Sequence, residues 1–371
     1  MLFVPVIGSG GKPLMPCHPA RARELVRSGR AVRRHDRGLF YIRLVDRADG
    51  ATQPIAVGID PGSKKEAFAV KSEAHTYLNI QANAVTWVSE RMDVKRDMRH
   101  SRRGRNTPYR ECRPNRGVKK GWLPPSTRAR WGWKLRLCNW LSRYYPVAVF
   151  AVEDVKAKTR KGKRRWNRSF SPLEDGKAWF YGELEKFGRV KTYAGYETKA
   201  LRDAFGLKKT RDKMSGRFEA HCVDSWVLAN AEVGGHTSPD HIGIMYVVPL
   251  RFYRRQLHRL QPGKGGRRAP YGGTMSLGLK RGTWVRHPRH GVAYVGGFQN
   301  DRVSLHNLRD GRRLCKNAKP GDCVVLTRCS WRAYTEKKEG GRGVCSTGNF
   351  FASNGCKEFS SCPAQGRRCS R

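Results

Sequence analysis

Four residues stand where this chain could do chemistry. The stretches 55–60 (IAVGID) and 147–153 (VAVFAVE) are short apolar runs, and each ends in an acid, Asp60 and Glu153. Continuous apolar runs of this length suit strands buried on both faces. His221 and Asp224 lie three residues apart in RFEAHCVDSWVLANA (217–231), so on a helix they share one face. Acids at strand ends and on a facing helix can converge on one point. Carboxylate and imidazole groups gathered in this way suit a divalent cation, and hard oxygen ligands favour Mg²⁺ or Mn²⁺ over Zn²⁺. Two such ions about 4 Å apart would activate water and stabilise the leaving oxygen of a phosphodiester. Each piece also has a plainer reading. Asp60 precedes Pro61-Gly62 and could serve only the turn, Glu153 and Asp154 could cap a helix, and His221 could be a core histidine. Asp154 competes with Glu153 for the same place; Glu153 is preferred because it ends the apolar run.

The elements that must position these groups form a mixed α/β pattern. After Asp60 a Pro-Gly-Ser turn leads to AFAVKSE (67–73) and TYLNIQANA (76–84), which with 55–60 make a three-stranded meander. Residues from 91 begin as a helix and turn irregular near Gly104 and Pro108. Residues 175–187 read as a helix, RVKTYA (189–194) as a strand, and ETKALRDAFGL as a helix closed by Gly206. The N-terminal 47 residues form a small module: Pro13-Leu14-Met15-Pro16 as a rigid extended turn, a helix opened by Pro19 and ending at Gly29, and a strand over 39–45. From about 281, short strands separated by Gly- and Asn-containing turns suggest a small all-β barrel. The Gly-, Ser- and Cys-rich stretch 332–371 is expected to be loose.

Charge supplies the context. The 371 residues carry 75 Lys and Arg against 30 Asp and Glu, a formal net charge of +45. An acidic small molecule would need only a local patch, whereas this excess points to a large polyanion, nucleic acid. Residues 91–170 alone hold 25 basic and 5 acidic residues, a net +20, while the meander at 51–90 is near neutral. Arg91, Lys95, Arg99 and Arg102/Arg103 recur at helical spacing, with Arg96 on an adjoining face. A helix polar nearly all round buries little against its own protein. No run of about 18 apolar residues suggests a membrane span. The start, MLFVPVIGSGGKP, breaks at Pro5 too early for a signal peptide. Eleven cysteines with no C-x-x-C pair argue against a disulfide scaffold or zinc ribbon and for a reducing cytoplasm. Cys345, Cys356, Cys362 and Cys369 are spaced more widely than a compact zinc knuckle.

The motifs together carry a resemblance. VGIDPGSK (57–64), VEDV (152–155) and HCVDSWVLA (221–229) resemble the three RuvC motifs of an RNase H-like nuclease. Residues 90–106 resemble an arginine-rich bridge helix, and PLMP (13–16) and YETKALRDAFGLKKT resemble the IscB group of transposon-encoded, RNA-guided nucleases. IscB proteins carry an HNH nuclease between the second and third RuvC motifs. Here 68 positions separate Glu153 from His221, and residues 101–220 contain no histidine, so the chain resembles the HNH-lacking relatives, IsrB. The resemblance implies an α/β fold with an RNase H-like (RuvC) core, an inserted bridge helix, an N-terminal PLMP module and a C-terminal β-barrel. It divides the chain into 1–50, 51–90, 91–130, 131–260, 261–331 and 332–371. It implies a nickase bound as one protein to one ωRNA, acting on the displaced strand of duplex DNA beside a short flanking motif, with no membrane partner, in the cytoplasm and at the nucleoid when bound to DNA. Asp60 would bridge two ions with Glu153 and Asp224 completing the shells, and His221 would orient or protonate near the phosphate. Arg91, Lys95, Arg96, Arg99, Arg102, Arg103 and Arg105 would hold the RNA–DNA duplex. Trp284, Arg286 and Arg289 are candidate contacts of the barrel.

Overall fold

The computed structural model describes residues 3–104, 122–156, 172–212, 214–252, 260–261, 266–267 and 273–336. The first elements are β1 (Val4–Ile7), β2 (Pro13–Cys17), α1 (Pro19–Arg27), β3 (Ala31–Asp36) and β4 (Leu39–Leu44). They form a sheet of order β2-β1-β4-β3. PLMP is thus a strand rather than the expected turn. It lies on the sheet edge, where prolines that cannot donate to a ladder are tolerated. The chain leaves α1 at Gly29 with φ +75°, a conformation glycine adopts without the Cβ clash of other residues.

Next come β5 (Ile55–Asp60), β6 (Lys65–Ser72), β7 (Thr76–Asn83), α2 (Trp87–Gly104), α3 (Pro125–Ser142), β8 (Val147–Asp154), α4 (Pro172–Leu184), β9 (Arg189–Ala194), α5 (Gly195–Ala204), α6 (Cys222–Val233) and β10 (Ile244–Pro249). Two short hairpins follow, β11 (Leu260–Gln261) with β12 (Gly266–Arg267), and β13 (Met275–Ser276) with β14 (Leu279–Lys280). The chain closes with β15 (Trp284–His287), β16 (Gly291–Gln299), β17 (Arg302–His306), β18 (Arg313–Ala318), β19 (Val324–Thr327) and β20 (Trp331–Thr335).

One seven-stranded sheet, β20-β10-β7-β6-β5-β8-β9, organises the molecule. β5, β6 and β7 are the antiparallel meander, and β8 and β9 add in parallel beside β5. This is the mixed α/β arrangement expected of an RNase H-like core. Strand alternation splits its side chains between two layers. Ile55, Val57, Ile59, Phe68 and Val70 pack with Trp133, Leu137, Trp140 and Leu141 of α3. Ala67 and Ala69 meet Cys222, Val223, Trp226 and Val227 of α6 on the other face. Burying this apolar surface on both faces is what holds the sheet between its helices.

Three boundaries depart from the sequence reading. α4 begins and ends three residues earlier than expected. The helix expected over 217–231 is broken: a 3₁₀ turn, Phe218–Ala220, precedes α6, and His221 lies between them with φ −140° and ψ −39°. Residues 332–335, where a loose tail was expected to begin, belong instead to β20, which returns to the large sheet as the antiparallel partner of β10. Its anchor is Trp331, buried edge-on against Trp133 and Trp140 at centroid distances of 5.5 and 5.9 Å. The cysteines at 345, 356, 362 and 369 lie outside the described residues. The C-terminal strands form an antiparallel sheet of order β18-β17-β16-β15-β19 with its own core. β18 and β19 are its edge strands, in the region where a small all-β barrel was expected. Asp36 ties the parts together, accepting from Trp140 Nε1 at 3.1 Å, Tyr144 Oη at 2.8 Å and Thr327 Oγ1 at 2.9 Å.

Candidate metal centre

β5 and β8 run parallel in register, with Ile59 opposite Val152. Asp60 and Glu153, the next residues on each strand, therefore emerge at the same end and on the face that carries α6. Asp154 points the other way, where it accepts from Lys177 Nζ at 2.6 Å and Tyr181 Oη at 3.2 Å. Alternation along β8 thus separates the two competing acids: Glu153 joins Asp60, and Asp154 is tied to α4.

The third carboxylate arrives on α6, and a glycine lets it approach. A Cβ at Gly58 would lie 1.8 Å from the Ser225 carbonyl oxygen and 2.8 Å from the Ala229 nitrogen. Only a bare backbone on β5 allows α6 to lie this close. Asp224 sits in the first turn of α6, where the helix dipole favours a negative side chain. Asp60, Glu153 and Asp224 each offer an oxygen, and the three lie within 4.8 Å of one another. Among the described residues they are the one group of three or more acids, histidines or cysteines gathered this closely. Asp60 is 6% exposed and Asp224 2%.

Packing acids this closely raises the cost of ionising all of them. Burial pushes the Glu153 carboxyl up to about 7, helped by the adjacent Asp60 and then Asp224, while Lys209 works against it. His221, at the N-cap of α6, places Nδ1 3.5 Å from Asp60 Oδ2. It reaches the site from the break before the helix rather than from a helical face shared with Asp224. Two cations hold Asp224: Arg202 Nη1 donates to Oδ1 at 2.5 Å, and Lys209 Nζ donates to Oδ2. Burial disfavours the Lys209 ammonium, but Asp60, Asp224 and Glu153 together keep its pKa above the usual lysine value. The sequence reading missed Gly58, Arg202 and Lys209 as parts of the site, although the latter two lie in the ETKALRDAFGLKKT stretch. The donor set fits a divalent cation: three hard carboxylates, largely removed from water, one of which is driven towards its neutral form when no metal is bound.

The candidate nucleic-acid residues lie elsewhere. Lys95, Arg96 and Arg99 are exposed along α2, Arg91 is half-buried at its start, and Arg96 pairs with Asp93 at 2.9 Å. Arg102 and Arg103 fall in the last turn of α2, and Arg105 lies outside the described residues. Of the three candidates on the C-terminal sheet, Arg286 and Arg289 are exposed. Trp284 is 2% exposed and its indole donates to the Trp331 carbonyl at 3.1 Å, so it is a core residue and not a contact.

Residues 4–169 match the model of a family described as RRXRR protein. That match spans less than half of the chain. No curated protein matches it. Two solved structures are similar to parts of it. One is T. thermophilus RuvC in complex with a Holliday junction substrate, 13% identical, covering 49% of this chain and 98% of that one with a TM-score of 0.26. The other is a Thermus thermophilus RuvC structure, 14% identical, covering 49% and 97% with a TM-score of 0.23. Likeness at this level adds nothing to what the strand order and the three carboxylates already give. No helix among the described residues is long and apolar enough to cross a membrane.

Proposed function

We propose that this chain is a metal-dependent DNA endonuclease guided by RNA: it binds an ωRNA and nicks the displaced strand of duplex DNA. The observation that carries the reading is the convergence of Asp60, Glu153 and Asp224 at one end of a sheet, in a chain with a net charge of +45. An isolated acidic cluster would repel a phosphodiester. Metal ions reverse that sign, and the surrounding basic surface can hold the polyanion.

The three carboxylates would hold Mg²⁺ or Mn²⁺, one ion or two. When bound, the metal supplies an activated water and charge neutralisation at the leaving oxygen. The chain's own residues do the rest. The His221 imidazole, 3.5 Å from Asp60 Oδ2, can orient that carboxylate. His221, beside Asp60, would also hold a proton near the departing oxygen. The exposed basic residues of α2 act as the bridge helix, gripping the guide–target duplex through phosphates. Base pairing then reads sequence, and the C-terminal sheet, through residues such as Arg286 and Arg289, meets the short motif flanking the target. The absence of histidine from 101–220 leaves no place for an HNH nuclease there, which favours nicking over double-strand cutting.

Sequencing the RNA that copurifies with the protein tests the guide. A discrete structured RNA with one variable end is expected. Cleavage of a synthetic four-way junction without RNA would instead mark a structure-selective resolvase. With guide, duplex target and Mg²⁺, Asp60→Asn should lose nicking by more than about a thousandfold while RNA and target binding persist. Equal nicking by the variant would overturn the assignment.

A further inference from the structure

Three acids at the candidate metal centre face two cations, and both cations donate their hydrogen bonds to a single acid, Asp224. The two are not equivalent. Arg202 belongs to α5, its side chain is 14% exposed, and it reaches Oδ1 through a planar guanidinium held within a helix. Lys209 lies in the irregular stretch after α5, its side chain is 33% exposed, and it reaches Oδ2 with a single flexible ammonium. The helix that carries Arg202 is itself tied to the site. Its first residue, Gly195, sits so close to Glu153 that a Cβ there would lie 3.1 Å from Oε1. α5 therefore begins beside Glu153 and holds Asp224 through Arg202 near its end.

We propose that Arg202 and Lys209 divide the two oxygens of Asp224 between a permanent and an exchangeable cation. Arg202 is a positioning residue: it holds Oδ1 and keeps Asp224 turned towards Asp60 and Glu153. Lys209 is a stand-in for the metal: it occupies Oδ2 until a divalent cation displaces it, and its ammonium then turns to the phosphodiester. The physical basis is the difference between the side chains. A guanidinium in a fixed fork on a packed helix loses little entropy by staying, whereas a lysine on a loop exchanges partners at low cost. The inference rests on the metal-dependent nuclease reading and adds a role for two residues which that reading leaves out.

The test is Mn²⁺ binding to the full-length protein, followed by calorimetry or by the electron paramagnetic resonance of free Mn²⁺. Lys209→Gln should bind Mn²⁺ about tenfold more tightly, because a competing charge is gone. Arg202→Gln should bind it about tenfold more weakly, because Asp224 is no longer aimed. Arg202→Lys, which keeps the charge and the helix, should recover part of that loss and guards against a folding defect. At saturating Mn²⁺ with guide and target, Lys209→Gln should still nick more slowly than wild type, while Lys209→Arg retains most of the rate. If Lys209→Gln and Arg202→Gln shift Mn²⁺ affinity in the same direction by similar factors, the cations act only as bulk charge and the division of roles is wrong. Asp60→Asn separates the two readings. Loss of Mn²⁺ binding in that variant, with the two cation variants moving together, overturns only the division of roles. Unchanged Mn²⁺ binding in Asp60→Asn overturns the metal centre, and this inference with it.

Discussion

The two faces of the large sheet treat acids in opposite ways. On the face covered by α3 and α4, a buried acid and a half-buried one each meet an ammonium. Glu66 accepts from Lys134 Nζ at 2.8 Å with both side chains almost fully buried, and Asp154 accepts from Lys177 Nζ at 2.6 Å. On the face covered by α6, Asp60, Glu153 and Asp224 crowd together, and the cations that bond them both go to Asp224. Glu66 and Glu153 reach the same value, about 7, by different routes. Burial raises both. For Glu66 the nearest neighbour, Lys134, opposes that rise, whereas for Glu153 the nearest neighbour, Asp60, adds to it. A matched pair in the interior is a finished structure; an unmatched cluster is a place for a cation yet to come.

The comparison can be broken most forcefully at Lys134. Lys134→Met should cost about 3–5 kcal/mol of stability, because Glu66 is left as an uncompensated buried acid. Guanidinium unfolding would measure the loss, while nicking per folded molecule should change little, because the pair lies on the face opposite the metal centre. Nicking lost in proportion beyond stability would mean that the faces are not separate in function. The next largest effect belongs to Gly58, on the α6 face. Gly58→Ala forces a methyl group against the Ser225 carbonyl, so it should cost about 3 kcal/mol, the upper end for overpacking, since backbone must move. Here stability and Mn²⁺ affinity should fall together, because the displaced helix carries Asp224. Unchanged Mn²⁺ affinity in a folded Gly58→Ala protein would break the link between that close approach and the site.

Much of this was legible in the residues themselves. The apolar runs ending at Asp60 and Glu153 announced buried strands, because nothing but burial on both faces tolerates such runs. The preference for Glu153 over Asp154 came from the end of a run, and the strand's alternation places the two acids on opposite faces. What the sequence could not carry was the pairing of residues distant along the chain. Lys134 reaches Glu66 across 68 positions, and nothing local in WGWKLRLC marks a buried lysine. Gly58 looked like one more small residue in a strand; its role depends on a helix that begins more than 160 positions later. The break at His221 was hidden because the amphipathic pattern runs unbroken through it: Phe218 lies before the break, yet packs in one cluster with Cys222, Val223 and Trp226. Trp331 was invisible as an anchor because strand periodicity is weak over five residues, and its burial depends on tryptophans from α3.

The smallest effect is also the one that sharpens the comparison most. Glu66 has a folded pKa of about 7 against an ordinary value of 4.5, so between those values the folded protein binds the proton that the unfolded chain releases. A raised carboxyl contributes stability that is fully present below about pH 4.5 and is lost as pH climbs through about 7; for a group this buried the whole swing is about 3 kcal/mol at most. Glu153 contributes with the same sign, since its folded value is also about 7. Denaturant unfolding of wild type from pH 5 to pH 8 should therefore show stability falling with pH, and Glu66→Gln should flatten part of that slope. The remaining part distinguishes the two faces. Mn²⁺ should remove it, because a cation at the cluster takes the place of the Glu153 proton, while the Glu66 share, set first by burial and Lys134 and only then by Asp60, should change less with the metal. A slope that Mn²⁺ leaves untouched in Glu66→Gln would show that the α6 face is as closed as the other.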